Sequence, residues 1–190
     1  MMEKDHLRKQ MRQALQALTD ERIQTLSELI CRRVLTHPAF LSAKTVLLYA
    51  AMPKEADPLV LAAHASDMGK RVAYPYCVNA TQIVAMQPLA ANDLEQGAYG
   101  IFAPVPERSV VIPPQEVDFV LVPGLAFDIL GGRLGRGAGF FDRYLLETSA
   151  FRAGFCFEMQ LISELPMEEH DLFMDAIFTD STFYSVISKS

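Results

Sequence analysis

The sequence predicts an α/β fold: a three-layer, mostly parallel sheet with helices on both faces, in a single domain. Three observations lead there. Short apolar runs of the length that suits buried strands, such as TVLLYAA and VDFVLVP, recur along the chain. They alternate with segments of helical periodicity, the pattern of a parallel sheet covered on both sides. The chain has 190 residues, 51% hydrophobic and 21% charged, with no repeat, linker or low-complexity tract, which fits one domain with a sizeable core.

Two helices come first. From about Glu3 to Leu18, residues Leu7, Met11, Leu15 and Leu18 recur at helical spacing. Thr19 or Asp20 can cap a second helix carrying Ile23, Leu26, Ile30 and Leu35, which stops before Pro38. TVLLYAA then reads as a buried strand, and DPLVLAAHASDMG as a helix ending at Gly69, where glycine suits a left-handed C-terminal position. RVAYPYC, QIVAMQPL and VDFVLVP are further strands. A glycine-rich segment opens a helix running to Leu146, and RAGFCF and MDAIFT supply two more strands.

Several function classes are disfavoured by composition. A net charge of −6 argues against nucleic acid as the main partner, since phosphate backbones want a basic surface. No apolar run approaches the roughly 18 residues that cross a bilayer, and the polar start MMEKDHLRKQMRQ is unlike a secretory signal. Cys31, Cys77 and Cys156 are odd in number and widely spaced, so the expectation is reduced thiols in a cytoplasmic protein. The four histidines show no metal-ligand spacing.

In open α/β sheets, ligands bind beyond the carboxyl ends of the strands. Two such loops stand out: MPKEADP after TVLLYAA, and GLAFDILGGRLGRGAGFFD after VDFVLVP. The second holds Gly131, Gly132, Gly135, Gly137 and Gly139, half of the ten glycines, interleaved with Arg133 and Arg136. Five glycines in nine residues cost folding entropy that a ligand or a tight turn must offset. A glycine-rich turn feeding a helix aims backbone N–H groups at one point, which suits phosphate, and arginines add bidentate charged donors. Asp142 is placed to hold magnesium against the same phosphates. The segment lacks GxxxxGK[ST], and its G-x-G-x-G spacing is not that of a dinucleotide loop.

At roughly 100° per residue, Lys4 and Arg8 project on the apolar side of the first helix, with Leu7, Met11 and Leu15, whereas Lys9, Gln13 and Gln16 lie opposite. The two cations either snorkel past the stripe at a frayed helix start or form part of a polyphosphate clamp. Glu55, between Pro53 and Pro58, stands at a strand's carboxyl edge, either as a surface carboxylate or as a ligand contact. Asp128 is expected to cap its own turn. Phe127, Phe140 and Phe141 are core residues by default, but the last two lie within the phosphate segment, where a ring can stack on a flat heterocycle.

The stretch Pro123–Leu145, PGLAFDILGGRLGRGAGFFDRYL, resembles the signature of the 5-formyltetrahydrofolate cyclo-ligase (methenyltetrahydrofolate synthetase) family, approximately PGLAFDxxGxRLGxGxGYYDRxL. The N-terminal K-x-x-x-R (Lys4 to Arg8), the M-x-x-E loop (Met52 to Glu55), NDLEQGAYGIFAP and HDLFMDAIFTD extend the resemblance, in order, over nearly the whole chain. It implies an ATP- and magnesium-dependent enzyme that converts 5-formyltetrahydrofolate to 5,10-methenyltetrahydrofolate, ADP and phosphate; a monomer is the accompanying expectation. By that resemblance, Lys4 and Arg8 touch ATP phosphates, and Arg133, Leu134, Gly135, Arg136, Gly137, Ala138, Gly139, Phe140 and Phe141 wrap the nucleotide. Arg136 is the catalytic residue nearest the transferred phosphoryl group. Ala50, Glu55 and Arg136 to Phe140 contact the folate, and Asp142 and Asp171 serve magnesium. Two departures accompany the match: Phe140–Phe141 replaces a tyrosine pair, and Ala103–Pro104 replaces Glu-Pro. A folate or nucleotide binder without turnover, or a sugar-phosphate isomerase on a related scaffold, are the alternatives.

Overall fold

The protein is described by a computed structural model covering residues 2–90, 93–97, 100–168 and 171–186, without the side chains of residues 2 and 3. Asn92, Ala98, Tyr99 and His170, within the stretches that carry the family resemblance, lie outside these residues.

Helix α1 (Met2–Gln16) leads into α2 (Asp20–Leu35). Of the two possible caps it is Thr19 that opens α2, its hydroxyl accepting from the Arg22 N–H at 3.2 Å. Pro38 does not end helical structure outright. It stands first in a short α3 (Pro38–Ser42), where a missing N–H costs nothing, after His37 has capped the turn through Nδ1. Strand β1 (Thr45–Leu47) is shorter than the apolar run around it, because beyond Leu48 the chain leaves the sheet edge. Helix α4 (Leu59–Asp67) starts where Asp57 accepts from the Leu59 N–H, and Gly69 follows it at φ +73° as the C-terminal signal requires.

Strands β2 (Arg71–Cys77) and β3 (Ile83–Pro88) form a hairpin, and β4 (Leu94–Gln96) pairs with β5 (Phe102–Pro104) in a small separate ribbon. β6 (Ser109–Ile112) and β7 (Phe119–Val122) follow, then the ribbon of β8 (Ala126–Phe127) and β9 (Arg133–Leu134). Helix α5 (Phe140–Leu145), β10 (Phe151–Phe155), β11 (Ala176–Phe178) and β12 (Phe183–Ser185) complete the described chain. The main sheet runs β12-β11-β10-β7-β1-β2-β3-β6. Its five central strands are parallel, while β12 at one edge and β3 and β6 at the other are antiparallel.

Both faces are covered, as alternating side chains require. Val46, Val72, Phe119 and Leu121 point into one core with Leu26, Ile30 and Val34 of α2, Phe40 of α3 and Leu61 of α4. Leu47, Ala73, Val120 and Val122 point into the other, beneath Tyr144 and Leu145 of α5. The short extra strands carry no period-two apolar signal, which is why the sequence does not show them. Phe119 is fully buried, edge-on to Phe40 at 5.4 Å and stacked on Phe151 at 5.6 Å. Phe119→Ala is expected to cost about 3–5 kcal/mol, read by urea unfolding; a loss below 1 kcal/mol would show that the core closes over the gap.

Candidate functional site

Parallel strands β1 and β7 bring their two following loops side by side at the carboxyl edge of the sheet. The loop after β1 is held at both ends. The Tyr49 hydroxyl, kept neutral because burial pushes its pKa well up, donates to the Ala56 carbonyl at 2.7 Å. Lys54 takes φ +69°, the one non-glycine residue among those described with positive φ, and its Nζ donates to the Leu18 carbonyl at 2.7 Å beyond the end of α1. Between these anchors Glu55 folds back, Oε2 accepting from the Met52 N–H at 2.9 Å. Its other oxygen, Oε1, accepts from Arg136 Nε at 2.8 Å and stands 2.7 Å from Nη2 of the same guanidinium in an ion pair.

The loop after β7 is shaped by Asp128. This carboxylate is 1% exposed and accepts from the backbone N–H groups of Leu130 (3.0 Å), Gly132 (2.8 Å) and Leu165 (2.9 Å). Its role is structural, as its place in the turn suggests. A Cβ at position 132 would stand 2.5 Å from Asp128 Oδ2, so that glycine exists to admit the carboxylate rather than a ligand. The glycine cluster therefore divides: the first members build a turn, and those from Gly135 to Gly139 line cavities. Helix α5 spans six residues, too short for a substantial macrodipole, and the charged side chains carry the electrostatics instead.

Two cavities adjoin here. The larger, about 450 Å³, is apolar over much of its wall, with Tyr76, Ile83, Ile101, Phe140 and Phe141; it also holds Ala50, Glu55, Arg136 and Ala138. The smaller, about 100 Å³, is polar and lined by Lys4, Arg8, Leu134, Gly137 and Asp171 among others. Arg133, Gly135, Gly139 and Asp142 border both. Every site residue expected from the sequence thus lines one cavity or the other.

Helix α1 delivers its two inward cations as its periodicity predicts. Lys4 Nζ lies 2.8 Å from Asp171 Oδ2 and 3.2 Å from Glu168 Oε1. Burial alone would lower its pKa, but the two carboxylates outweigh burial and raise it, so Lys4 stays charged. Arg8 Nε donates to the Gly135 carbonyl at 3.0 Å. Arg133, with a side chain 5% exposed, donates to the Pro123 carbonyl at 3.0 Å through Nη1 and is paired through Nη2 with Asp142. Its buried Nε has no hydrogen-bond partner among the described residues. Cations thus meet carboxylates pairwise: Arg136 with Glu55, Arg133 with Asp142, Lys4 with Asp171.

Sequence reasoning missed the far wall. Tyr76, Cys77 and Ile83 lie on the β2–β3 hairpin and look like ordinary strand residues, so no local signal marks them. Burial pushes the Cys77 thiol up, and it presents the cleft with a protonated, weakly polar surface. Asp142→Asn would leave the buried Arg133 charge without its counter-ion; since Asp142 itself is 47% exposed, the expected loss is about 1–2 kcal/mol in urea unfolding without added metal or nucleotide. Unchanged stability would make the pair structurally irrelevant.

A family model described as the 5-formyltetrahydrofolate cyclo-ligase family matches residues 1–180. The chain is 30% identical over 175 residues to 5-formyltetrahydrofolate cyclo-ligase of Escherichia coli K12, covering 90% of this chain and 96% of that one. It is 30% identical over 194 residues to the probable 5-formyltetrahydrofolate cyclo-ligase of Schizosaccharomyces pombe, covering 94% and 95%. Among solved structures, 5,10-methenyltetrahydrofolate synthetase of Aquifex aeolicus superposes with a TM-score of 0.87 at 29% identity, covering 98% of this chain and 94% of the other.

Proposed function

Since this chain belongs to the 5-formyltetrahydrofolate cyclo-ligase family, we propose that it converts 5-formyltetrahydrofolate to 5,10-methenyltetrahydrofolate at the expense of ATP, acting as a monomer in the cytoplasm. The observation that carries the reading is the junction of two unlike cavities, an apolar cleft sized for a flat heterocycle and a small cationic one suited to phosphates, with Arg133 and Asp142 on their shared wall. Cys31, Cys77 and Cys156 are free thiols, as suits a reducing compartment.

The reaction asks for position and charge neutralisation rather than a protein nucleophile. The formyl oxygen attacks the γ-phosphorus of ATP and ADP departs, leaving the formyl carbon bound to a phosphorylated oxygen. N10 attacks that carbon, the carbon–oxygen bond breaks, phosphate leaves with the former formyl oxygen, and the N10 proton passes to solvent. Lys4 and Arg8 hold the phosphate chain, and the Arg133–Phe141 segment wraps the nucleotide. Glu55 takes hydrogen-bond donors of the pterin and thereby gives up Arg136, whose guanidinium turns to the phosphoryl oxygens. Ala50 and Phe140 bound the pterin pocket.

Magnesium fits the donors present. Asp142 and Asp171, two carboxylates, line the smaller cavity. That is the donor set of an ion which takes one or two carboxylates and completes its shell with phosphate oxygens and water. Asp142 and Asp171 would hold it, exchanging Arg133 and Lys4 for the ion, which when bound neutralises phosphate charge.

The deciding experiment mixes protein, 5-formyltetrahydrofolate, magnesium and ATP and follows the methenyl product's near-ultraviolet absorbance against a control lacking ATP. An ATP-dependent rise at an ordinary rate, roughly 1–1000 per second, is expected. A flat trace from folded protein would replace the reading with a folate or nucleotide binder. Arg136→Ala is expected to lower turnover by about 100-fold or more with little change in folate affinity; equal turnover would remove Arg136 from the mechanism. Phe141 packs on both cores while bordering the cleft, so Phe141→Tyr should fold normally and change only the folate KM. An unfolded variant would show that no room exists for the hydroxyl.

A further inference from the structure

We infer that Arg143 is a positioning residue for the ligand-binding half of the glycine-rich loop, locking it against the β2–β3 turn. Arg143 is exposed on α5, and an exposed arginine is ordinarily left to solvent. This one is committed. Its Nε donates to the Thr81 carbonyl in the turn between β2 and β3 at 2.5 Å, and its Nη2 donates to the Ala138 carbonyl at 2.6 Å. The guanidinium carbon sits over the Phe140 ring, 5.8 Å from its centroid. One planar fork thus joins the turn, the glycine loop and an aromatic wall of the cleft, whose other residues include Cys77 and Ile83 flanking that turn.

The loop is built to admit this side chain. Gly139 holds φ +68°, and a Cβ there would come within 2.7 Å of Arg143 Nη1. Position 139 therefore needs glycine twice over, for its backbone and for the arginine. Because a trans peptide is planar, with its carbonyl and the following N–H pointing opposite ways, drawing the Ala138 carbonyl to Arg143 turns the Gly139 N–H away from it. The side chain so sets the orientation of a peptide in the loop that borders both cavities. A lysine keeps the charge but offers its donors from one atom, without the two separate nitrogens of the rigid fork or the planar face that lies over Phe140.

The kinetic consequence rests on the cyclo-ligase reading; the structural one does not. The test compares wild type, Arg143→Ala and Arg143→Lys by amide hydrogen exchange without ligand, by thermal melting, by titration with a non-hydrolysable ATP analogue and by steady-state kinetics. In Arg143→Ala, amides of 135–140 and 79–82 should exchange about tenfold faster, while those of β1 and β7 are unchanged. Analogue affinity should weaken, and the KM for ATP should rise, by about tenfold, with kcat altered much less, and Arg143→Lys should recover part of each. Unchanged loop exchange, or faster exchange with unaltered analogue affinity, overturns the inference. A general fall in melting temperature with exchange raised throughout the sheet also overturns it, by making Arg143 an ordinary stabiliser. Should the wild type show no ATP-dependent turnover, the cyclo-ligase reading fails, and exchange and analogue binding still decide the role of Arg143.

Discussion

The buried carboxylate of Asp128 is the constraint on which the site depends. A charge at 1% exposure must be satisfied by strong donors, and Leu130, Gly132 and Leu165 supply three backbone N–H groups. Two of these close the turn that makes β8 and β9 a ribbon, and the third ties that ribbon to the segment leading toward Asp171. With the ribbon fixed, Arg133 leaves β9 beneath the cleft, its guanidinium spanning Pro123 and Asp142, and the glycine loop that follows is delivered beside α1. The start of the glycine loop after residue 133 inherits its place from this one buried group.

The site is nearly neutral as it stands, each cation matched to a carboxylate. Such pairing keeps charges in a partly desolvated cleft without a large self-energy. Under the proposed function ligands would act by exchange: phosphate oxygens would relieve carboxylates of their arginine and lysine, and donors on a heterocycle or a metal would relieve the cations of their carboxylates. The Arg136–Glu55 pair is the clearest case, because its two members come from different loops and lie on the same cleft.

The departures from the family signature are easier to weigh in the folded chain. Phe141 is half-buried and packs against both cores, so its ring contributes apolar contact where a phenol would need a hydroxyl partner. Ala103 pairs with Glu95 across the β4–β5 ribbon and faces the cleft with a methyl group, taking a carboxylate's place with less volume and no charge. Neither change disturbs the ion pairs or the Asp128 turn.

Much of this was legible in the chain itself. Helical spacing put Lys4 and Arg8 on the inner face of α1, apolar runs marked the parallel strands, and the glycine–arginine segment marked the loop that lines both cavities, because these are properties of residues close in sequence. What the sequence could not carry were relations between distant residues. Asp142 and Asp171 look like two independent carboxylates, yet each is held by a cation, from residues 133 and 4 respectively. The glycines of 131–139 look alike, yet Gly132 makes room for Asp128 and Gly139 for Arg143. Tyr76 and Ile83 read as plain strand residues and became cleft wall only because an antiparallel hairpin was laid beside β1. The layers, the strand-end position of the cavities and the kinds of groups lining them follow from periodicity and composition, which are local. Which charge faces which emerges from the folded chain, because Coulomb and hydrogen-bond partners are chosen by distances in space that local sequence patterns do not carry.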